Sequence, residues 1–474
     1  MCEVGEDYRE PAPAGQPPPR PGREQKCVKC KEGLPVVVIR AGDAFCRDCF
    51  KAFYVHKFRA VLGKNRLIFP GEKVLLAWSG GPSSSSMLWQ VLEGLSRDSA
   101  KRLRFVPGVV YADEGAACGQ SPEDRAKTLA EAKLVLQTVG FPWHVVALEE
   151  VFSLPPSVLR CSAREPVGTE GAYKAAVDSF LQQQHAVGEG QQSQPCPQHP
   201  QSWAGPPTAG QTEALSRLFN SVKTLTAKEE LLQTLRTHLI LHVARTHGYS
   251  KGFSDERHGD VVVVRPMREH TLKEVAFYNR LFAVPSIFTP AVDTKAPEKA
   301  SIHRLMEAFI LRLQAQFPST VSTVYRTSEK LVKAPRDGCA PGAPGPRCLL
   351  CLCALDVDTA DSATAFGAQT SSQLPQTQHP VAEAEAPTAS CCCTGMGGAR
   401  QCCRMEEDQG PRARVIEQLC YGCRVNMKDL PSLDPLPPYI LAEAQLRSQR
   451  AEAEPQIQEY LLEDHEDEAR PGES

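Results

Sequence analysis

No apolar run in this 474-residue sequence approaches the roughly 20 residues that a membrane-spanning helix needs. The opening stretch, MCEVGEDYREPAPAGQPPPRPG, has no apolar core and so lacks the body of a secretory signal. Net charge is only −3, which gives no whole-chain grip on a polyanion. The phosphate-transferring pattern G-x-x-x-x-G-K-[ST] is also missing, which excludes an ordinary P-loop. The expectation is a soluble intracellular chain with no membrane partner. In that compartment the 19 cysteines are expected as thiols or metal ligands, not as a disulfide frame.

Charge is uneven where the total is small. Pro21 to Leu75 holds 12 basic and 5 acidic residues, whereas Ala451 to Ser474 holds 9 acidic residues and one Arg. A basic front fits a nucleic-acid contact, and an acidic end fits a solvated tail. Composition divides the chain into a Pro-rich, disordered 1–25 and a cysteine-bearing module with a basic helix at 26–70. An α/β domain follows at 71–333, with a Gln/Pro-rich insert near 189–211. A Cys-rich module at 334–450 is interrupted by low-complexity sequence, and an acidic tail occupies 451–474.

The pattern within 71–333 alternates strand and helix. Lys73–Trp78 reads as a buried strand and Ser84–Leu95 as a helix. FVPGVVYADEG reads as a second strand, ending at Asp113-Glu114-Gly115. SPEDRAKTLAEAKLVLQTVG reads as a helix capped by Ser121, with Pro122 in its first turn and Gly140 at its end. WHVVALEEV is a third strand. Thr226 to Glu229 has capping-box spacing, and DVVVVRPMREHTLKEVAFYNRLF reads as strand, turn and helix. The fold class expected is α/β, a parallel sheet flanked by helices, with a zinc-ribbon-like module at each end and disordered linkers.

Two cysteine sets carry metal-ligand spacing. Cys27-Val-Lys-Cys30 and, fifteen residues on, Cys46-Arg-Asp-Cys49 can meet as a four-thiolate zinc site, because each pair puts two sulfurs on one tight turn. Four protein ligands leave no open position, so the site is expected to be structural. Beside it Lys51, Lys57, Arg59, Lys64 and Arg66 cluster with Phe53, Tyr54 and Phe58, as an RNA contact or as an ordinary solvated helix face. Cys348-Leu-Leu-Cys351, with Cys353 close by, and Cys420-Tyr-Gly-Cys423 have the same form across a long insert. The loop-closure cost of that insert rises only slowly with length. Cys391, Cys392, Cys393, Cys402 and Cys403 receive no role.

In KVLLAWSGGPSSSSMLWQVL a strand runs into Ser79-Gly80-Gly81 and then a helix. Glycines there let backbone amides approach a phosphate, and the helix aims its positive end at it. The Asp113 strand ends at the carboxyl edge where α/β sheets bind ligands. A serine-rich turn holding no ligand is the competing reading.

Taken together, the paired knuckles, Ser79-Gly80-Gly81, YADEG, RPMREHTLKEVAFYN and LCYGCRVNMKDLPSLDPLPPYI resemble the cytoplasmic tRNA 2-thiolation protein 2 family, within the PP-loop ATP pyrophosphatases. The resemblance implies 2-thiolation of the wobble uridine (U34) in lysine, glutamate and glutamine tRNAs, in the cytoplasm. It also implies a heterodimer with a catalytic subunit that takes sulfur from a thiocarboxylated ubiquitin-related carrier. In such chemistry ATP adenylates the uridine O2, and a sulfur nucleophile then displaces AMP. The active pattern is Ser-Gly-Gly-x-Asp-Ser, yet Ser83 stands at the acidic position, after Pro82. Ser79, Gly80, Gly81, Ser83, Ser84 and Asp113 therefore read as a degenerate nucleotide site, with ATP and Mg used by the partner subunit. The nearest candidate for a sulfur-handling cysteine is Cys161, which has no partner at Cys-x-x-Cys spacing. After Lys251 a strand end and a further helix are expected to be missing. Two alternatives stay open: a uridine-adenylating enzyme using Asp113 or Glu114, and a zinc-dependent RNA-binding scaffold with no thiolation role.

Overall fold

The computed structural model describes residues 26–39, 43–64, 68–96, 99, 102–160, 201–203, 205–253, 261–317, 319–328, 347–353, 355, 411–430 and 432–458. Cys161, Arg66, the cysteines between 391 and 403, and most of the 189–211 insert lie outside them.

Its centre is a six-stranded sheet in the order β6-β5-β4-β3-β7-β8. The strands are β3 (Lys73–Ala77), β4 (Val106–Asp113), β5 (Trp143–Ala147), β6 (Gln201–Trp203), β7 (Lys251–Phe253) and β8 (Val262–Val264), and every neighbouring pair is parallel. Side chains alternate across the strands and give the sheet two buried faces. Val74, Leu76 and Trp78 join Val109 and Tyr111 under α2 (Pro82–Leu95) and α3 (Pro122–Val139). Leu75, Val110 and Val146 face the other way, toward α4 (Ala209–Ser221) and α5 (Leu225–Thr246).

From β3 the chain moves outward through β4 and β5, then returns on the far side of β3 as β7. The order reverses between β3 and β7, and the crevice at such a point, beyond the strands' carboxyl ends, is where doubly wound sheets bind ligands. The α3 boundaries follow from local chemistry. The Ser121 side chain accepts from Asp124 N, Pro122 opens the helix, and Gly140 ends it at φ 73°.

Of the strand end and helix expected to be missing after Lys251, a three-residue strand, β7, is present. Pairing with β3 on one side and β8 on the other imposes it, where local pattern gave no signal. Eight residues separate β7 from β8. A parallel crossover ordinarily takes a dozen or more. Within the stretch read as insert, Gln201–Trp203 is the edge strand, and Thr208 forms a capping box with Gln211 that opens α4.

Two smaller units flank the sheet. At the front a hairpin of β1 (Val37–Val38) and β2 (Ala44–Phe45) leads into α1 (Arg47–Lys64), which packs on α6 (Leu272–Leu281). After α6 come α7 (Ile302–Gln316) and α8 (Thr320–Ser328). At the end, residues 347–353 meet α9 (Pro411–Glu417), α10 (Tyr421–Met427) and α11 (Pro438–Gln458). Leu349, Leu350, Leu352, Tyr439 and Ile440 share one core with Leu231, Leu235 and Leu239 of α5. Helix α11 continues eight residues into the segment read as tail. Among the described residues no helix is long and apolar enough to cross a membrane.

Candidate nucleotide cleft and metal centres

The four sulfurs of Cys27, Cys30, Cys46 and Cys49 lie within 4.8 Å of one another, as do those of Cys348, Cys351, Cys420 and Cys423. The two clusters are built alike. In each, the first Cys-x-x-Cys pair is a turn closed by a backbone bond, Lys31 N to Cys27 O at 2.8 Å and Leu352 N to Cys348 O at 3.2 Å. The residue after the pair takes a left-handed conformation, Lys31 at φ 61° and Leu352 at φ 59°. In each, the second pair opens a helix, Cys46 before α1 and Cys420 before α10. The positive end of a helix favours thiolates there.

One tetrahedral ion at a Zn–S distance of about 2.3 Å sets sulfurs about 3.8 Å apart. Cys30 to Cys46 is 3.9 Å and Cys351 to Cys420 is 3.5 Å. Both are far beyond a disulfide bond. In the second cluster the contact with Cys351 pushes the Cys348 thiol down, and the contact with Cys348 pushes Cys351 and Cys423 up. A divalent ion would favour the thiolate form of all four. The donor sets therefore fit a closed structural metal site.

Apart from the cysteine sets, a cleft of about 820 Å³ lies beyond the carboxyl ends of β3 and β4. Ser79, Ser83 and Ser84 form one wall, with Asp113, Glu114 and Cys118 beside them and Arg236 of α5 opposite. Arg265, Arg268 and His270, between β8 and α6, add further positive or polar character. Gly80 sits behind this wall at φ 82°, where a Cβ would meet Ile287 Cγ1 at 2.3 Å, so only glycine fits. Ile287 N also donates to Gly80 O at 2.9 Å.

The loop uses its own hydroxyls. Ser79 N donates to Ser84 Oγ at 3.2 Å, and Gly81 N donates to Ser79 Oγ at 3.4 Å. The first turn of α2 carries no acid, and Ser83 is exposed. The two acids at the end of β4 are both engaged. Asp113 Oδ1 accepts from Gly115 N at 3.0 Å and Oδ2 from Arg125 Nε at 2.7 Å. Arg125 also clamps Glu149, which is fully buried. Glu114 is held by Arg236 through both of its oxygens.

The basic residues of α1 turn largely inward. Lys57 pairs with the buried Glu274 of α6 at 2.8 Å, Lys51 with Glu93 at 3.0 Å, and Arg59 Nη2 donates to Ser99 Oγ at 2.7 Å. Lys64 ends the helix.

Sequence reasoning missed Arg125, Arg236 and Glu149. Their partners lie 12 to 122 residues away, so no local spacing points to them. Cys118 was missed because a single cysteine carries no pattern. Burial, with Glu114 nearby, pushes its thiol up to about 12.

The family model described as cytoplasmic tRNA 2-thiolation protein 2 matches residues 301–425. The protein of that name from Bos taurus is 78% identical, covering 100% of both chains, over an alignment of 508 positions, 34 more than this chain has residues. The Homo sapiens protein is 72% identical over 99% of both chains. Among solved structures, the U34-tRNA thiolase NcsA from Methanococcus maripaludis with its [4Fe-4S] cluster is 15% identical, with a TM-score of 0.36, covering 72% of this chain and 95% of that one. At 78% identity over its full length, with both cysteine sets gathered in space, this chain belongs to the cytoplasmic tRNA 2-thiolation protein 2 family.

Proposed function

We propose that the chain is a cytoplasmic subunit of the machinery that 2-thiolates U34 of lysine, glutamate and glutamine tRNAs. In this reading it does not perform the adenylation. It pairs with the catalytic subunit, which uses ATP and Mg and takes sulfur from a thiocarboxylated ubiquitin-related carrier. One observation carries this: the loop keeps the glycine geometry of a nucleotide site, yet a hydroxyl stands where a carboxylate is needed, and both nearby acids are tied to arginines. A hydroxyl cannot supply the charge that a Mg-linked acid brings to a triphosphate.

The two cysteine sets each hold one zinc ion in a structural role. Cys27, Cys30, Cys46 and Cys49 fix the start of α1. Cys348, Cys351, Cys420 and Cys423 fix the terminal unit against α5. Transfer RNA is positioned by the cleft arginines and the outer edge of α1, where Lys51 stays partly exposed.

Mercury-gel retention of lysine tRNA tests this reading in cells whose only copy of the gene encodes this chain. Retention equal to that given by the bovine relative supports the thiolation role. If retention is lost and the bovine relative restores it, the role stands for the family and this chain is an inactive form of it. Equal retention in cells with no copy at all overturns it. The competing reading, an adenylating enzyme using Asp113 or Glu114, requires pyrophosphate release by the isolated chain.

A further inference from the structure

Helix α7 is held to the protein by polar contacts while its apolar stripe is left exposed. Arg304 reaches Glu229 Oε1 at 3.3 Å and Ala296 O at 2.6 Å, and it also bonds Asp293 O. His303 Nε2 meets Glu230 Oε1 at 2.9 Å, and Ile302 N donates to Thr226 Oγ1 at 3.0 Å. Ala308 is its one buried apolar residue. The apolar side faces solvent: Ile302 is 64% exposed, Met306 and Phe309 50% each, and Leu305 and Phe317 continue the stripe. Positions 302, 305, 306 and 309 fall on one helical face at the spacing that ordinarily packs against a core.

We propose that this face of α7 is the docking surface for the catalytic thiolation subunit, which meets it with an apolar surface of its own. The proposal rests on the heterodimer reading above. The stripe offers on the order of 500 Å² of apolar side chain, a large part of the roughly 800 Å² per partner that a stable interface buries. The one cation beside it, Arg312, is paired with Glu298 at 3.1 Å, so the stripe offers no unpaired positive charge to a phosphate, which disfavours RNA.

Position separates a different subunit from a second copy. The stripe begins at Ile302, beside His303, which lines the cleft. A partner seated there stands beside the cleft and can bring a free acid, since Asp113 and Glu114 are both held by arginines. A second copy would bring only the same Ser83. The stripe also lies within the 301–425 span matched by the family model.

The test titrates the full-length chain against the bovine catalytic subunit and reads the dissociation constant. Met306→Asp and Phe309→Asp each place a charge on an exposed site, and unchanged circular dichroism and zinc content verify their folds. Each is expected to weaken binding by at least about 30-fold, the range of an interface hot spot, while Phe309→Leu stays within about threefold of the parent. Parent-like binding by both Asp variants overturns the docking site and leaves the heterodimer intact. No binding by the parent chain removes the heterodimer and the docking site together. Concentration-dependent self-association that Phe309→Asp abolishes, without partner binding, assigns the face to a second copy and also overturns the proposal.

Discussion

Arg125 Nε donates to Asp113 Oδ2 at 2.7 Å, which takes the acid at the end of β4 out of play as a metal ligand. The same guanidinium holds Glu149 at 2.5 and 2.8 Å, and Glu149 has no exposed surface. Removing the cation leaves that carboxylate buried and unpaired. Arg125→Met is therefore expected to cost about 3–5 kcal/mol in urea unfolding. Asp113→Asn is expected to cost less, because Glu149 keeps its partner. Equal losses for the two would mean that the pairs do not share one clamp.

The loop makes a second prediction. Ser83→Asp restores an acid to the first turn of α2 and should tighten Mg-ATP binding by about tenfold, the range of one favourable charge contact. It should not start pyrophosphate release, because the loop amides remain bonded to Ser79 and Ser84. Equilibrium dialysis and a pyrophosphate assay check the two halves separately. Pyrophosphate release by the unmodified chain would contradict the non-catalytic reading outright.

Metal removal should act unequally on the two clusters. Cys348 and its neighbours Leu349, Leu350 and Leu352 belong to the main core with α5 and α11, whereas Cys27 belongs to a small core with α1 and α6. Plasma emission spectrometry should find two zinc ions per chain, falling to one in either Cys27→Ser or Cys348→Ser. Thermal melting should fall further for Cys348→Ser, since binding energy at a structural site is folding energy. Equal melting shifts would show that core membership does not matter.

His144 supplies a pH dependence. Burial, and then the stacked ring of His247 4.0 Å away, lower it from 6.5 to about 4. Its other neighbours are the Tyr249 hydroxyl at 3.2 Å and, next to His247, Lys73. The folded state thus binds the proton more weakly than the unfolded state. Its contribution is full above pH 6.5 and is lost as pH falls toward 4, on the order of 3 kcal/mol over that window. Urea midpoints at pH 7, 5.5 and 4.5 should fall more steeply for the parent chain than for His144→Phe.

The cysteine knuckles and the α3 caps were legible because each is a local rule written within a few residues. Helix α5 was legible in kind but shifted at its start. Thr224 caps it by accepting from Ala227 N, while Thr226, which has the better spacing to Glu229, turns its hydroxyl to Ile302 N on another helix. The α1 lysines were read as a surface because their acidic partners, Glu93 and Glu274, are 42 and 217 residues away. Strand β7 was invisible for a related reason, since three residues show no periodicity and only their neighbours make them a strand. The α4 start carried a signal that the proline-rich sequence before it hid, the Thr208–Gln211 box.

The second cysteine cluster joins sulfurs of residues 69 apart in sequence, Cys351 and Cys420, at 3.5 Å. An ion bound there acts as a reversible cross-link around a long stretch of low-complexity sequence. Closing a longer loop is nearly free, since each doubling of length adds only about 0.6 kcal/mol. Insertions and deletions between Cys353 and the start of α9 are therefore expected to be close to neutral for folding. Loss of a single residue between Cys348 and Cys351 would instead destroy the turn that presents both sulfurs. Tolerance to length change in this protein should thus jump from near zero to almost unlimited within a few residues of Cys353.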